Sequence, residues 1–298
     1  MMAAQDRGLR GVLRHDEPMA QHTSWRVGGP ARRFYQPADL DDLATFLAGL
    51  PADEELLWLG LGSNLLVRDG GIPGTVIATF GGLNALCLHD ALTVRAEAGV
   101  SCAKIARLMT RHGLTGGEFL AGIPGSLGGA LAMNAGAFGG ETWDYVAAVE
   151  SLDRRGQRRL RTPQDYAIGY RQVQGPADEW FVAAQLRFTP GDSAAAQARI
   201  KALLEHRGAT QPTQQPSCGS VFRNPPGDHA ARLIEACGLK GHCIGAACVS
   251  DKHANFIINT GGARAADIEA LIAHVRDSVA REQGVRLETE VRIVGVGV

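Results

Sequence analysis

From Ala121 to Gly140 the chain reads AGIPGSLGGALAMNAGAFGG, with no charged side chain and a glycine every few residues. Glycine weakens helices and strands because its unfolded backbone has more freedom to lose. A single long regular element therefore does not fit this block. Two readings remain. The block is a packing turn between strands, or its backbone N–H groups approach a ligand that no side chain obstructs. Successive amides of that kind can bind a diphosphate without lysine or arginine. Glycine is 38 of 298 residues, about 13% of the whole chain, against a usual level of about 7%. Close backbone approach is thus a general feature of the sequence.

Charge narrows the function. The chain has 30 Lys+Arg against 31 Asp+Glu, a net charge of −1, whereas nucleic-acid binders and polybasic membrane-surface proteins need surplus positive charge to capture phosphates. The arginines 154, 155, 158, 159 and 161 alternate around the turn Arg155-Gly156-Gln157 and read as solvated turn residues. No apolar run approaches the ~18 residues of a transmembrane helix. The arm Met1 to Met19 mixes Asp6, Arg7, Arg10, Arg14, Asp16 and Glu17 and has no signal-peptide core. A cytoplasmic protein is expected. The six cysteines (87, 102, 218, 237, 243, 248) form no CxxC pair and no zinc spacing with histidine, so no metal site is predicted and buried thiols are expected.

The length predicts about two domains and allows three small ones. Leu40, Leu43, Phe46 and Leu47 mark a helix with aspartates at its start, and Leu56 to Leu59 reads as a buried strand. These close a first unit, residues 1–78. A second unit, 79–198, opens on the alternating strand Leu92 to Ala98, and Ser101 can cap the helix that follows. The glycine block and the strands Val146 to Leu152 and Arg158 to Arg161 complete it. The third unit, 199–298, follows the helical pattern Ala194 to Arg207. It has a helix capped by Asp228, the amphipathic stripe Ile268, Leu271, Ile272, Val275 and Val279, and a last strand Leu287 to Val294.

Gly60-Leu61-Gly62-Ser63-Asn64 follows an apolar strand, as a phosphate-binding turn would. A dinucleotide fingerprint needs a third glycine at position 65, which is Leu, and no GxxxxGK[ST] occurs. Gly219 to Pro226 gathers Ser220, Arg223 and Asn224 in one short turn. Ser220 there is a turn or cap residue, or a catalytic hydroxyl. Arg171 and Glu290 taken alone are indistinguishable from solvated surface charges.

Read in order, the segments carry more. Thr23 to Ala31, Gly62 to Leu66, Gly122 to Ser126, Met133 to Ala137, Gly219 to Phe222, Asn224-Pro225, Lys252 to Phe256 and Leu287 to Arg292 resemble the UDP-N-acetylenolpyruvoylglucosamine reductase family over nearly the whole chain. The resemblance implies an α+β fold: a two-subdomain FAD-binding fold of the vanillyl-alcohol-oxidase type, with a C-terminal α+β substrate domain. It allows the last strand, 291–298, to return to the first subdomain. It implies non-covalent FAD held by Arg26, Gly62, Ser63, Asn64, Leu65, Gly122, Ile123, Pro124, Gly125, Ser126, Gly128, Gly129, Asn134, Ala135, Gly136 and Ala137.

NADPH would be the co-substrate, and the substrate UDP-N-acetylglucosamine enolpyruvate, met by Arg223, Asn224 and Lys252. Ser220 matches the family's proton donor, and Arg171 and Glu290 match the groups that stabilise the enolate. A glutamate can donate a hydrogen bond only with a raised pKa, so a desolvated Glu290 is expected. His22 stands where the family commonly has Asn. Cys218 beside Ser220 reads as packing, since no His–acid pair is evident to activate it. No insertion carrying a substrate-covering Tyr is visible, which points to the shorter branch of the family, and a monomer is expected. Two other functions compete. One is a related flavin oxidase tethering its cofactor through His22, Cys102 or His112; the other is a catalytically silent UDP-sugar-binding protein.

Overall fold

The computed structural model describes residues 8–298; Asp6 and Arg7 of the polar arm lie outside them. The chain divides into two compact units. The first is 1–14, 33–61 and 74–205, and the second is 15–32, 62–73 and 206–298.

In the first unit, Asp39 caps the helix Leu40–Ala48 by accepting the Asp42 N–H. Leu40, Leu43, Phe46 and Leu47 then face one core with Tyr35, Ile77, Leu83, Leu152 and Val182. The strand Leu56–Leu59 pairs in parallel with Ile72–Ala78, Leu56 opposite Thr75. Asp42 fixes this region. Its carboxylate accepts the Tyr35 hydroxyl at 2.5 Å and the backbone N–H groups of Arg10 (2.7 Å) and Ala38 (2.9 Å). Burial works to raise its pKa, but these hydrogen bonds outweigh burial and hold it below the usual range. The stabilisation is complete above the unfolded carboxylate range, near ~4, and disappears as pH falls through the lower native value. Thermal melts from pH 6 to 2 should therefore show a steeper acid loss for the native protein than for Asp42→Asn.

The rest of this unit is a five-stranded sheet in the order Arg158–Arg161, Val146–Asp153, Glu179–Arg187, Thr93–Glu97, Leu86–Leu88. Its neighbours pair antiparallel. The helices Cys102–Arg111 and Leu127–Met133 bury Ile105, Met109, Leu127 and Leu131 in a core shared with Val94, Val149 and Leu186. Around the hairpin turn, Arg154 pairs with Asp178, Arg158 with Asp41, Arg159 with Asp153 and Arg161 with Glu179.

The second unit is organised by the helix Ala265–Gln283, whose stripe Ile268, Leu271, Ile272, Val275 and Val279 is buried with Trp25, Leu66, Phe222 and Val249. Three expectations are corrected here. His229, not Asp228, is the N-cap of the helix Ala230–Ala236, because the Asp228 carboxylate is drawn to Arg232 and the His229 N–H. The last strand is regular only over Arg292–Val294, parallel to Leu65–Val67; ahead of it, Thr289 makes a single bridge to Phe222.

The cysteines are the third correction. Cys102 and Cys218 are buried thiols, but Cys87 is exposed, and Cys243 and Cys248 form a disulfide. They lie directly opposite on the hairpin Cys243–Ile244/Ala247–Val249. A Cys-x4-Cys spacing around the turn Gly245-Ala246, in which Gly245 has φ of 56°, is the sequence signal of that hairpin.

Candidate active site

In the first unit the glycine block wraps the start of the helix Leu127–Met133. Part of its backbone is committed to the chain itself: the N–H groups of Ile123, Leu127 and Gly128 donate to Leu120, Val100 and Ala98. Ser126 behaves otherwise. Its residue is 1% exposed, and its hydroxyl has no hydrogen-bond partner among the described residues. A Cβ on Gly60 would lie 2.3 Å from that hydroxyl. Buried polar atoms are nearly always bonded, so a hydroxyl without a partner among the described residues, beside a bare glycine, fits a ligand bearing oxygen acceptors.

The end of the block holds Arg171. Asn134 ends the helix in the left-handed conformation, with φ 43°. The strands Gly136–Ala137 and Gly140–Glu141 follow it. Arg171 stands in the turn between Ala167–Gly169 and Gln172–Gln174, with φ 54°. Residues other than glycine adopt such a backbone only in a few per cent of cases, mostly in turns such as this one. The half-buried guanidinium donates to the carbonyls of Asn134 (3.3 Å) and Gly136 (3.0 Å).

In the second unit the structure brings Gly62–Leu65 to the Ser220 and Glu290 segments. Gly62 has φ 62°, and a Cβ there would lie 2.0 Å from the His22 carbonyl; only glycine fits. Asn64 donates to the Glu290 carbonyl at 3.0 Å, and the Leu65 N–H reaches the Cys218 sulfur at 3.2 Å. Glu290 in turn donates its N–H to Val221, next to Ser220, at 2.8 Å. Both Ser220 and Glu290 are half-buried. Cys218 is 3% exposed, and burial pushes its thiol up to about 12, which favours the packing role over a nucleophile. Cys102, one of the residues a tethered flavin would need, is likewise fully buried in the core with its thiol pushed up to about 12.

Arg26 is exposed with φ 58°. Arg223 is half-buried and donates its N–H to Glu288. Asn224 uses Oδ1 to accept the Ala230 N–H at the start of a helix, a structural task for a residue expected at the substrate. Lys252 donates to the Gly208 carbonyl at 2.5 Å, at the end of the helix Ser193–Thr210. Arg207 belongs to that same helix end, and burial lowers its pKa. Spacing gave no hint of that cation. Nor did it single out Asn255, which is 3% exposed. Asn255 accepts the Phe222 N–H at 2.9 Å and donates to the Phe222 carbonyl at 2.8 Å.

Two family models match the chain. The FAD binding domain covers residues 31–160, and the UDP-N-acetylenolpyruvoylglucosamine reductase C-terminal domain covers residues 211–294. The UDP-N-acetylenolpyruvoylglucosamine reductase of Alkalilimnicola ehrlichii is 66% identical over 295 residues, 99% of either chain. The chain belongs to this reductase family. The reductase of Methylococcus capsulatus is 64% identical, covering 96% of this chain and 94% of its own. The crystal structure of the reductase (MurB) from Thermus caldophilus matches with a TM-score of 0.82 at 32% identity, over 96% of this chain and all of that one. The fold is the expected α+β FAD-binding type, and the protein is a flavoprotein oxidoreductase with FAD as cofactor. Among the described residues no helix is long and apolar enough to cross a membrane.

Proposed function

We propose that the chain reduces UDP-N-acetylglucosamine enolpyruvate to UDP-N-acetylmuramate with NADPH, in peptidoglycan precursor synthesis. We place it in the cytoplasm as a monomer of the branch lacking the Tyr insertion. The observation that carries the reading is the second unit's network, in which the Gly62–Leu65 loop, Ser220 and Glu290 are held together through the Asn64 amide and the Val221 carbonyl. Bound FAD supplies the hydride that reaches C3 of the enolpyruvyl ether. Negative charge then spreads over C2 and the substrate carboxylate, where the Arg171 guanidinium and the Glu290 side chain stabilise it. The Ser220 hydroxyl gives C2 its proton; its high intrinsic pKa suits so basic a carbon. Arg207 and Lys252 offer cations to the UDP diphosphate.

Anaerobic single turnover tests this. NADPH should bleach the flavin, and the enolpyruvyl substrate should restore its colour without oxygen. Flavin that NADPH cannot bleach, or that the substrate cannot reoxidise, sinks the assignment. Flavin remaining with acid-precipitated protein would instead favour the tethered oxidase.

The Ser126 hydroxyl gives a second prediction. Ser126→Ala removes an unpartnered buried hydroxyl, so the apoprotein should melt at the same temperature or higher. A hydrogen bond to a charged phosphate contributes about 1.5–3 kcal/mol, so FAD affinity should fall roughly 10- to 100-fold, read by flavin fluorescence on release. Unchanged FAD affinity would remove Ser126 from the cofactor site.

A further inference from the structure

We propose that Glu141, acting through the Asn134 side chain, is a positioning residue that sets the Arg171 guanidinium for the substrate carboxylate; this rests on the reductase reading given above. The Arg171 guanidinium donates to the carbonyls of Asn134 and Gly136. These bonds seat it on the 134–136 turn, so whatever holds that turn helps to set its aim.

One amide does most of that holding. The Asn134 Nδ2 donates to the Glu141 carboxylate at 2.7 Å and to the Gly169 carbonyl at 3.3 Å. Its Oδ1 accepts the Trp143 N–H at 3.1 Å. Asn134, 2% exposed, thus ties together three segments: the turn that receives Arg171, the 141–143 turn, and the strand end at Gly169, beside the hairpin turn that carries Arg171. Among the hydrogen-bond partners of the Asn134 side chain given above, Glu141 is the charged one, and a charge-assisted bond is about twice as strong as a neutral one. Glu141 is itself anchored by a reciprocal capping pair with Asp144.

Gly136 brings the two ends of this relay together. A Cβ there would lie 3.1 Å from the Glu141 Cγ and 3.2 Å from the Arg171 Nη1. The two side chains flank the same bare glycine, so a shift in Glu141 reaches the turn that seats the guanidinium. A misplacement of 1 Å can cost about 10²-fold in rate.

The test uses the flavin-loaded enzyme and separates the half-reactions. Glu141→Ala should slow anaerobic reoxidation by the enolpyruvyl substrate roughly 10- to 100-fold, while flavin content and the rate of reduction by NADPH stay within about twofold. Glu141→Gln keeps an oxygen that accepts the Asn134 amide and should recover most of the loss. In an Arg171→Ala background, adding Glu141→Ala should slow reoxidation no further, since the residue acts through Arg171. Wild-type reoxidation in Glu141→Ala overturns the proposal. So do equal losses in both half-reactions with flavin release, failure of Glu141→Gln to recover, or effects that multiply in the double variant. If Arg171→Ala itself reoxidises normally, the role given to Arg171 fails and this inference with it; if only Glu141→Ala does, the inference fails alone.

Discussion

Ser220→Ala should leave the flavin fully reducible by NADPH and nearly stop its reoxidation by the enolpyruvyl substrate. The fold gives the substitution little to damage. The segment carrying Ser220 is held by its neighbours' backbone: Val221 donates to the Asn255 carbonyl at 2.9 Å and accepts from Glu290 at 2.8 Å, and Arg223 donates to Glu288 at 2.9 Å. Alanine disturbs none of these. What it removes is the hydroxyl proton, and positioned general acids contribute about 10²- to 10⁴-fold. Rapid mixing under argon, with NADPH and substrate supplied in separate pushes, should show that loss in the second phase only. A variant equally slow in both phases would mean that Ser220 supports the flavin and delivers no proton.

What the sequence reveals follows from the range of the interactions. Elements set by local pattern are legible: the helix start among Asp39, Asp41 and Asp42, the stripe from Ile268 to Val279 and the strand Leu56 to Leu59 follow from residues close in the chain, although of that strand only Leu59 is fully buried. Elements set by distant partners are not. The last strand is regular only over Arg292–Val294 because it pairs with Leu65–Val67, far away in the chain. The Cys243–Cys248 hairpin and the Asp228–Arg232 pair are local, but hydrophobic periodicity carries no signal for either. The site divides in the same way. Ser220 belongs to a distinctive turn, while Arg171 and Glu290 are ordinary letters that acquire meaning only from the order of all the motifs together. Ser126 enters the expected FAD set only through the family resemblance, since nothing in the glycine block's own pattern distinguishes it. Its missing partner is a fact of three dimensions.

Asn255 shows the same limit, and it carries the largest stability prediction. Its side chain satisfies both backbone polar groups of Phe222, a residue 2% exposed. Asn255→Ala strands a buried N–H and a buried carbonyl at about 1–3 kcal/mol each, which corresponds to a fall in melting temperature on the order of 10 °C. Because Phe222 adjoins Val221 and Ser220, reoxidation by substrate should slow as well. Asn255→Asp separates lost hydrogen bonding from lost packing. An aspartate there can donate to the Phe222 carbonyl only when protonated, and burial raises its native pKa above the unfolded value of ~3.9. Its stabilising bond is therefore complete below pH ~4 and lost as pH rises through the native pKa. The melting temperature of Asn255→Asp should approach that of the native protein near pH 4–5 and fall away toward pH 8, while the deficit of Asn255→Ala stays flat. Parallel pH profiles for the two variants would show that Asn255 fills space and holds no strand.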